Sequence, residues 1–449
     1  MRTALALFTS DLRLHDNPVL HTALRTSDRV VPLFVLDTGI ARAGFAAPRR
    51  AAFLAGCLAD LDEGLRARGG RLVLREGDVV EEVCRVAAEA GAGEVHVAAG
   101  ASGYAQLREA RLRSALGAGG RRLTVHDAVV TVVAPGGVVP AGKDHFAVFT
   151  PYFRRWSAQR PRSMPAAPRR VDVPGVPGLP PPVVTAPPGL PKGGEREGRR
   201  RLAAWLRGGL ARYAELHDDL AADATSRLSP YLHFGCLSPA EVVARARGAG
   251  GPGADAFVRQ LAWRDFHHQV LAAVPGAAGR DYRARGDRWR RDADEAGAWR
   301  EGRTGYPVID AAMRQLAHEG WMHNRARLLT ASFLTKTLGH DWREGARHFL
   351  DLLVDGDVAD NQLNWQWVAG TGTDTRPNRI LNPLVQARRF DPDGAYVRRW
   401  VPELAGVPGR AVHEPWRLDG ARRPRYPAPV VDLAEAAARF RAARGLGGG

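Results

Sequence analysis

Cysteine is scarce: Cys57, Cys84 and Cys236 are the only three in 449 residues. That count is odd and the spacing wide, so neither a disulfide framework nor a CxxC zinc or redox site is available, and a reducing compartment is expected. Long apolar runs are missing too. No stretch approaches the roughly 20 residues of a membrane span. The N-terminal MRTALALFTSDLRLHDN turns charged too early for a secretory signal and reads as a first strand. Lysine is nearly absent, with three residues against 61 arginines. No internal repeat is present, and no GxGxxG follows the first strand, which excludes the dinucleotide fingerprint. Tryptophan is absent before Trp156, although the chain holds 11. These absences describe a soluble, cytoplasmic protein.

What is present is ordinary in bulk and unusual in charge. Hydrophobic residues make up 45% and charged residues 25%, which suits a globular chain of two or three domains at roughly 100–200 residues each. The net charge is +16, and so large an excess of base points to a polyanion, nucleic acid first and an anionic membrane surface second. Residues 1–150 carry 18 Lys and Arg against 16 Asp and Glu, a net of +2, so +14 falls on residues 151–449. Base and indole therefore share the C-terminal side, a combination that suits phosphate binding and stacking on bases. Part of that charge sits in a proline-rich stretch and localises the partner only loosely.

Short apolar runs at Ala4–Phe8, Val30–Leu36, Arg71–Leu74, Glu94–Ala98 and Leu123–Val125 alternate with helical patterns such as Arg50–Arg68 and Val79–Ala90. Such alternation predicts a doubly wound parallel sheet, an α/β domain over residues 1–150, with any ligand at the carboxyl ends of its strands near Thr9–Asp11 and Asp37. About a third of the 31 prolines fall between Pro161 and Pro191, so residues 151–200 are expected to form an extended interdomain linker. Beyond it, patterns such as Ala254–Val274, Val308–Glu319 and Arg325–Thr337 predict a larger all-α domain over residues 201–449.

The stretch Asp351–Asn382 is the most informative, with Asp355 and Asp357 around Gly356, followed by Asn361, Asn364, Trp365 and Trp367. Paired acids suit metal ligation, yet the remaining EF-hand positions are missing, and acidic helix caps are the plain alternative. No metal is expected. Trp365 and Trp367 stand two apart and cannot share a helix face. In TSRLSPYLHFG the adjacent hydroxyls Thr225 and Ser226 are placed to open a helix and bind an anion. His267 and His268 are adjacent on a helix and point apart, His323 reads as a satisfied helix histidine, and Met313 and Met322 read as core.

Taken together, SDLRLHDNPVL at 10–20, TSRLSPYL at 225–232, WRDF at 263–266, TGYPVIDAAMRQL at 304–316, GWMHNRARL, TASFLTK, DWREGARHFLDLLVDGDVA, NWQWVAGTGTD and HEPW at 413–416 resemble the photolyase/cryptochrome flavoproteins. The likeness runs nearly end to end and is nearest to bacterial class I cyclobutane pyrimidine dimer photolyases. It implies an antenna-binding α/β domain, a long linker, and a helical domain that buries FAD, active as FADH⁻. The flavin positions it implies are Tyr213, Thr225, Ser226, Arg227, Leu228, Ser229, Asn324, Arg327, Asp355, Gly356, Asp357 and Asn361, with Arg327 pairing Asp355 and Asn361 facing flavin N5. It implies an electron chain of Trp365, Trp342 and Trp289. Trp263 and Trp367 match the residues that sandwich a flipped-out lesion, with Gln260, Asn324 and Asn361 completing the catalytic set. Arg264, Arg325, Arg379 and Gln386 match positions that contact UV-damaged DNA. A monomer associated with the nucleoid through DNA follows.

Some positions depart from the pattern. Gln260 replaces the usual glutamate and is usual in the (6-4) photolyase and animal cryptochrome branch, but Asn324 and Leu328 lack that branch's histidine-rich version. Leu328 replaces a methionine, and His217 stands where an arginine often meets DNA. The segment AAGASGYAQLRE puts Gly100 and Ser102 where deazaflavin-binding relatives carry acids, while Arg50 matches a retained arginine. An antenna of 8-hydroxy-5-deazaflavin, a folate, or none stays open. Light-driven dimer repair is the expectation. A cryptochrome-type receptor without repair is the second reading, for which the short RGLGGG after Ala443 provides no signalling tail, and a (6-4) photolyase, on Gln260 alone, is the third.

Overall fold

Runs of Val, Leu and Ala with both faces apolar build five parallel strands, because a sheet covered on both sides needs no polar alternation. The computed structural model describes residues 1–419 and 425–446. Its strands are β1 (Thr3–Phe8), β2 (Arg29–Asp37), β3 (Val73–Gly77), β4 (Ala92–Ala98) and β5 (Arg122–His126), in the order β3-β2-β1-β4-β5. In register, Leu5 of β1 pairs with Val31 of β2 and Val95 of β4. The chain reverses its direction of strand addition at β1, so the crevice at its carboxyl end lies between β1 and β4, where such folds place ligands. Helices α1 (Pro18–Thr26), α2 (Pro48–Arg66), α3 (Val79–Glu89) and α4 (Gly103–Ala118) follow the strands. A core of Leu5, Val31, Val73, Val83, Val95, Leu112 and their neighbours is buried between them.

The chain gathers into two compact units, Met1–Ala214 with Ser226–Pro275, and Glu215–Thr225 with Gly276–Gly449. The first unit therefore holds the sheet, the irregular stretch and the long helix α5 (Gly251–Ala273). The irregular stretch is shorter than the expected 151–200, since Phe149–Ser157 and Glu195–Gly208 are helical. It is tacked to the sheet edge, where Leu179 N–H donates to the Leu74 carbonyl at 2.9 Å. Cys57 and Cys236, 179 residues apart in sequence, meet with their sulfurs 3.4 Å apart as free thiols. Burial pushes the Cys57 thiol up.

The second unit is helical. Its elements include α6 (Pro307–Glu319), α7 (Asn324–Ser332), α8 (Trp342–Leu352), α9 (Val358–Ala369), α10 (Pro383–Phe390) and α11 (Leu433–Ala443). Helix α7 was expected to run unbroken to Thr337, but Phe333–Leu338 is a π-turn, a widening that recurs at functional sites. Trp299, Trp342, Trp365, Met313 and Met322 lie in its core. Helix α8 meets α9 at Gly345, where an added Cβ would lie 2.2 Å from the Trp365 ring. Among the described residues no helix is long and apolar enough to cross a membrane.

Candidate functional site

In the second unit, three consecutive motifs converge through charge pairing. His323 caps α7 by accepting the Arg325 N–H on Nδ1 at 3.1 Å; it is a cap rather than a mid-helix residue. Its Nε2 is buried without a partner, and burial drives the imidazole pKa down to about 4. Arg327, one turn on, donates through Nε to the Met322 carbonyl at 2.8 Å and through Nη2 to both oxygens of Asp355, at 2.8 and 3.1 Å. The Asp355 side chain is 2% exposed. The guanidinium offsets part of the desolvation cost of a carboxylate buried this way.

The two acids around Gly356 have separate tasks. Asp355 takes the ion pair, whereas Asp357 is the N-cap of α9 and accepts the Asp360 N–H at 2.9 Å. Helix α9 then presents Asn361, whose amide nitrogen donates to the Ala346 carbonyl at 3.0 Å and to Gln362 Oε1 at 3.1 Å. Both amide hydrogens are committed to protein acceptors, which leaves its carbonyl oxygen to receive a donor. Thr225, in the same unit, keeps a buried Oγ1 with no protein partner. A buried hydroxyl and an amide oxygen left in this state mark a place for a polar ligand. Asn324, at the start of α7, is exposed.

The tryptophans divide by face as their spacing requires. Trp365 is buried edge-on to Phe349 at 4.9 Å and to Trp299 at 6.0 Å, whereas Trp367 is only partly covered. Trp342 is fully buried, its indole N–H donating to Asp281 at 2.8 Å, and the Arg343 guanidinium stands 4.7 Å from its ring centroid. Trp289 is half-buried against the same core. Arg325 forms a double hydrogen bond with Asp218 at 2.5 and 3.2 Å and lies 4.5 Å over the Phe390 ring. Arg379 is exposed in the loop after α9, and Gln386 is half-buried on α10.

In the first unit, Trp263 on α5 stacks flat on Phe149 at 3.8 Å and 5°, with Arg259 on that ring at 4.8 Å. One indole face is thus taken by protein. Gln260 is exposed one turn earlier. Arg264 donates to the carbonyls of Val130 and Leu232. Thr225 and Ser226 do not open a helix; the helix runs Ser229–His233, with Ser229 and not the two hydroxyls in its first turn. Arg227 has φ of +49°, a left-handed geometry that a non-glycine residue adopts at a cost of about 1–3 kcal/mol and that clusters at ligand sites. Leu228 and Tyr213 are buried.

The carboxyl ends of the strands form a second polar group. Asp11 accepts the Thr9 N–H at 2.8 Å, Tyr104 donates to Asp37, and Arg108 keeps a buried Nε without an acceptor. Arg50 donates to the Phe45 carbonyl at 2.7 Å. Gly100 N–H donates to Glu109 at 2.9 Å, and Ser102 caps α4. Tyr104 and Arg108 lie in the segment AAGASGYAQLRE, whereas Asp218, Asp281 and Trp299 carry no sequence motif that singles them out.

Family profiles match two segments of the chain. One for DNA photolyase matches residues 4–170, and one for the FAD-binding domain of DNA photolyase matches residues 257–445. The chain is 67% identical to a deoxyribodipyrimidine photo-lyase of Streptomyces griseus over 99% of this chain and 100% of that one. The chain belongs to the DNA photolyase family. A photolyase of Escherichia coli K12 is 35% identical over 97% of each chain. Among solved structures, a class III photolyase from Agrobacterium tumefaciens superposes with a TM-score of 0.89 at 31% identity, covering 99% of this chain and 97% of that one. A Synechocystis cryptochrome gives 0.90 at 29%, covering 98% and 99%. The photolyase fold, a parallel sheet followed by a mostly helical remainder, is therefore that of this chain.

Proposed function

We infer that this chain is a light-dependent carbon–carbon lyase that repairs cyclobutane pyrimidine dimers in DNA with FAD. The observation that carries this is the 67% identity, end to end, to a deoxyribodipyrimidine photo-lyase. The donor set fits the cofactor: a buried Thr225 hydroxyl suits a phosphate, and the Asn361 carbonyl oxygen, with its amide hydrogens spent, suits a ring N–H. Arg327, Asp355, Gly356, Asp357 and Asn324, and likewise Tyr213 and Ser226–Ser229, match flavin-contact positions of the family. When bound and reduced, FAD supplies on illumination the single electron that opens the cyclobutane ring and takes it back, with no net redox change.

The chain's own residues bind and orient. Trp263 and Trp367 match the family positions that grip an extruded lesion, whose unstacking is cheapest when the bases are damaged. Gln260 reaches it with an amide that donates and accepts but carries no charge. Arg325, Arg379, Gln386 and Arg264 belong to the DNA face, and the surplus charge of the C-terminal side holds the phosphates. Trp365, Trp342 and Trp289 relay electrons inward, with Asp281 bonded to the Trp342 N–H. The division into 1–150, 151–200 and 201–449 assigns light harvesting to the sheet domain, where Asp11, Asp37, Tyr104 and Arg108 sit at the strand ends, for 8-hydroxy-5-deazaflavin or a folate. The enzyme acts as a monomer in the cytoplasm, drawn to the nucleoid by its DNA affinity.

The test is direct. Chemically reduced protein is illuminated with near-UV or blue light on oligonucleotides bearing a cyclobutane dimer or a (6-4) product. Loss of the dimer alone is the expected result. No dimer loss overturns the reading, and loss of the (6-4) product instead assigns Gln260 a deciding role in lesion choice.

A further inference from the structure

Lys336 is one of only three lysines in the chain, and it is 3% exposed. It lies in the π-turn Phe333–Leu338 and donates through Nζ to the carbonyl oxygens of Pro377 and Arg379, each at 2.8 Å. Those carbonyls belong to the turn in which the Arg379 N–H donates to the Arg376 carbonyl at 3.2 Å. One buried nitrogen thus ties the segment that presents the exposed Arg379 guanidinium. The flanks of the same loop are held by other donors: Arg444 to Ala369 at 3.0 Å, Arg285 to Gly370 at 2.6 Å, and the Leu381 N–H to Ser332 Oγ at 3.1 Å.

We propose that Lys336 is a positioning residue for DNA binding, fixing the backbone of residues 377–379 so that Arg379 meets a backbone phosphate. This rests on the reading of Arg379 as a DNA contact. The geometry is compact: a single ammonium nitrogen, a point donor with three rotatable N–H groups, serves two carbonyls two residues apart. Burial pushes the Lys336 pKa down to about 7. The charged groups around it are Asp374 and Arg379 of the loop, Asp287, and Arg444 at the end of α11; Arg439 donates to the neighbouring Thr337 carbonyl. Asp374 and Asp287 favour its ammonium form, and Arg444 and Arg379 oppose it. A phosphate seated on Arg379 adds negative charge beside it and favours the ammonium further. DNA binding therefore takes up a proton, and affinity rises as pH falls towards about 7 from above.

The test uses FAD-loaded full-length enzyme and a duplex carrying one cyclobutane dimer, with affinity measured by fluorescence anisotropy from pH 6 to 9. Lys336→Met is expected to weaken binding about 5- to 20-fold, as contacts with a shared partner do not act independently, with flavin content per chain unchanged. In a double-mutant cycle, Arg379→Ala removes most of the effect of Lys336→Met, and the pH dependence near 7 is flattened in Lys336→Met. Wild-type affinity in Lys336→Met, or losses that simply multiply in the double variant, overturns the proposal alone. Wild-type affinity in Arg379→Ala overturns both the reading of Arg379 and this inference. Should Lys336→Met not fold, Lys336→Gln, with two N–H donors on a shorter stem, is judged by the same cycle.

Discussion

Two seven-residue stretches of this chain share the pattern Asp-x4-Asp-Asn and meet opposite fates. Residues 11–17 read DLRLHDN and residues 355–361 read DGDVADN. In the first, the bonds close on the stretch and its own unit. Asn17 caps α1 and donates to the Asp11 and Arg13 carbonyls; Arg13 donates to the carbonyls of Asp16, Gly235 and Val129; Asp16 takes Arg162 and Ser238. In the second, Asp355 is spent on one arginine and Asp357 on a helix cap, and the Asn361 carbonyl oxygen is left over. A polar cluster that satisfies itself is a joint, and one that does not is a receptacle.

The largest effect should come from opening the second stretch. Asp355→Ala leaves the Arg327 charge without its partner, a loss of about 3–5 kcal/mol; purified protein should carry little flavin, measured as flavin absorbance per chain. Full flavin content would make 355–361 a joint like 11–17. Arg13→Met should act in the other sense, stripping three buried carbonyls of donors at about 1–3 kcal/mol each. Its melting temperature should fall by several degrees while flavin per folded chain stays constant, and loss of flavin without destabilisation would break the contrast.

Acid should act next. The His323 pKa is held at about 4, so as pH falls the unfolded chain takes up that proton first, at about 6.5. Stability present above pH 6.5 is lost between 6.5 and 4, by about 3 kcal/mol from this residue. His323→Asn, which keeps a capping side chain without titrating there, should reduce the fall in urea resistance between pH 7 and 4.5; an unchanged fall would place the acid sensitivity elsewhere. Smallest is a kinetic effect beside the second stretch. Trp342→Phe should slow photoreduction of oxidised flavin about tenfold, roughly 1.4 kcal/mol in barrier, and spare repair by pre-reduced enzyme. Equal rates would remove Trp342 from the relay.

Most of the sheet was legible because alternating apolar runs and helix patterns are local signals. The third strand is displaced, at Val73–Gly77 rather than Arg71–Leu74, because Asp62 takes the Leu72 N–H and Arg71 reaches the Val176 carbonyl. The site was legible only through ordered motifs. Composition cannot say that Asp218 meets Arg325, 107 residues away, or that Lys336 reaches across 41 residues to Pro377. Nor did the cysteine spacing show that Cys57 and Cys236 touch. Such pairings are tertiary facts with no periodic trace.

Helix α9 carries one further consequence. Trp365 and Trp367 are separated by about 3 Å of rise and about 200° of turn, so one faces the core and the other the partly open side. On the roles proposed for them, the electron supply and the lesion grip are thereby geared to a single shaft. Inserting one residue between Asp357 and Trp365 would turn both indoles by about 100° at once. If both proposed roles hold, neither can drift in register without carrying the other with it, so an insertion in that helix should disturb both together.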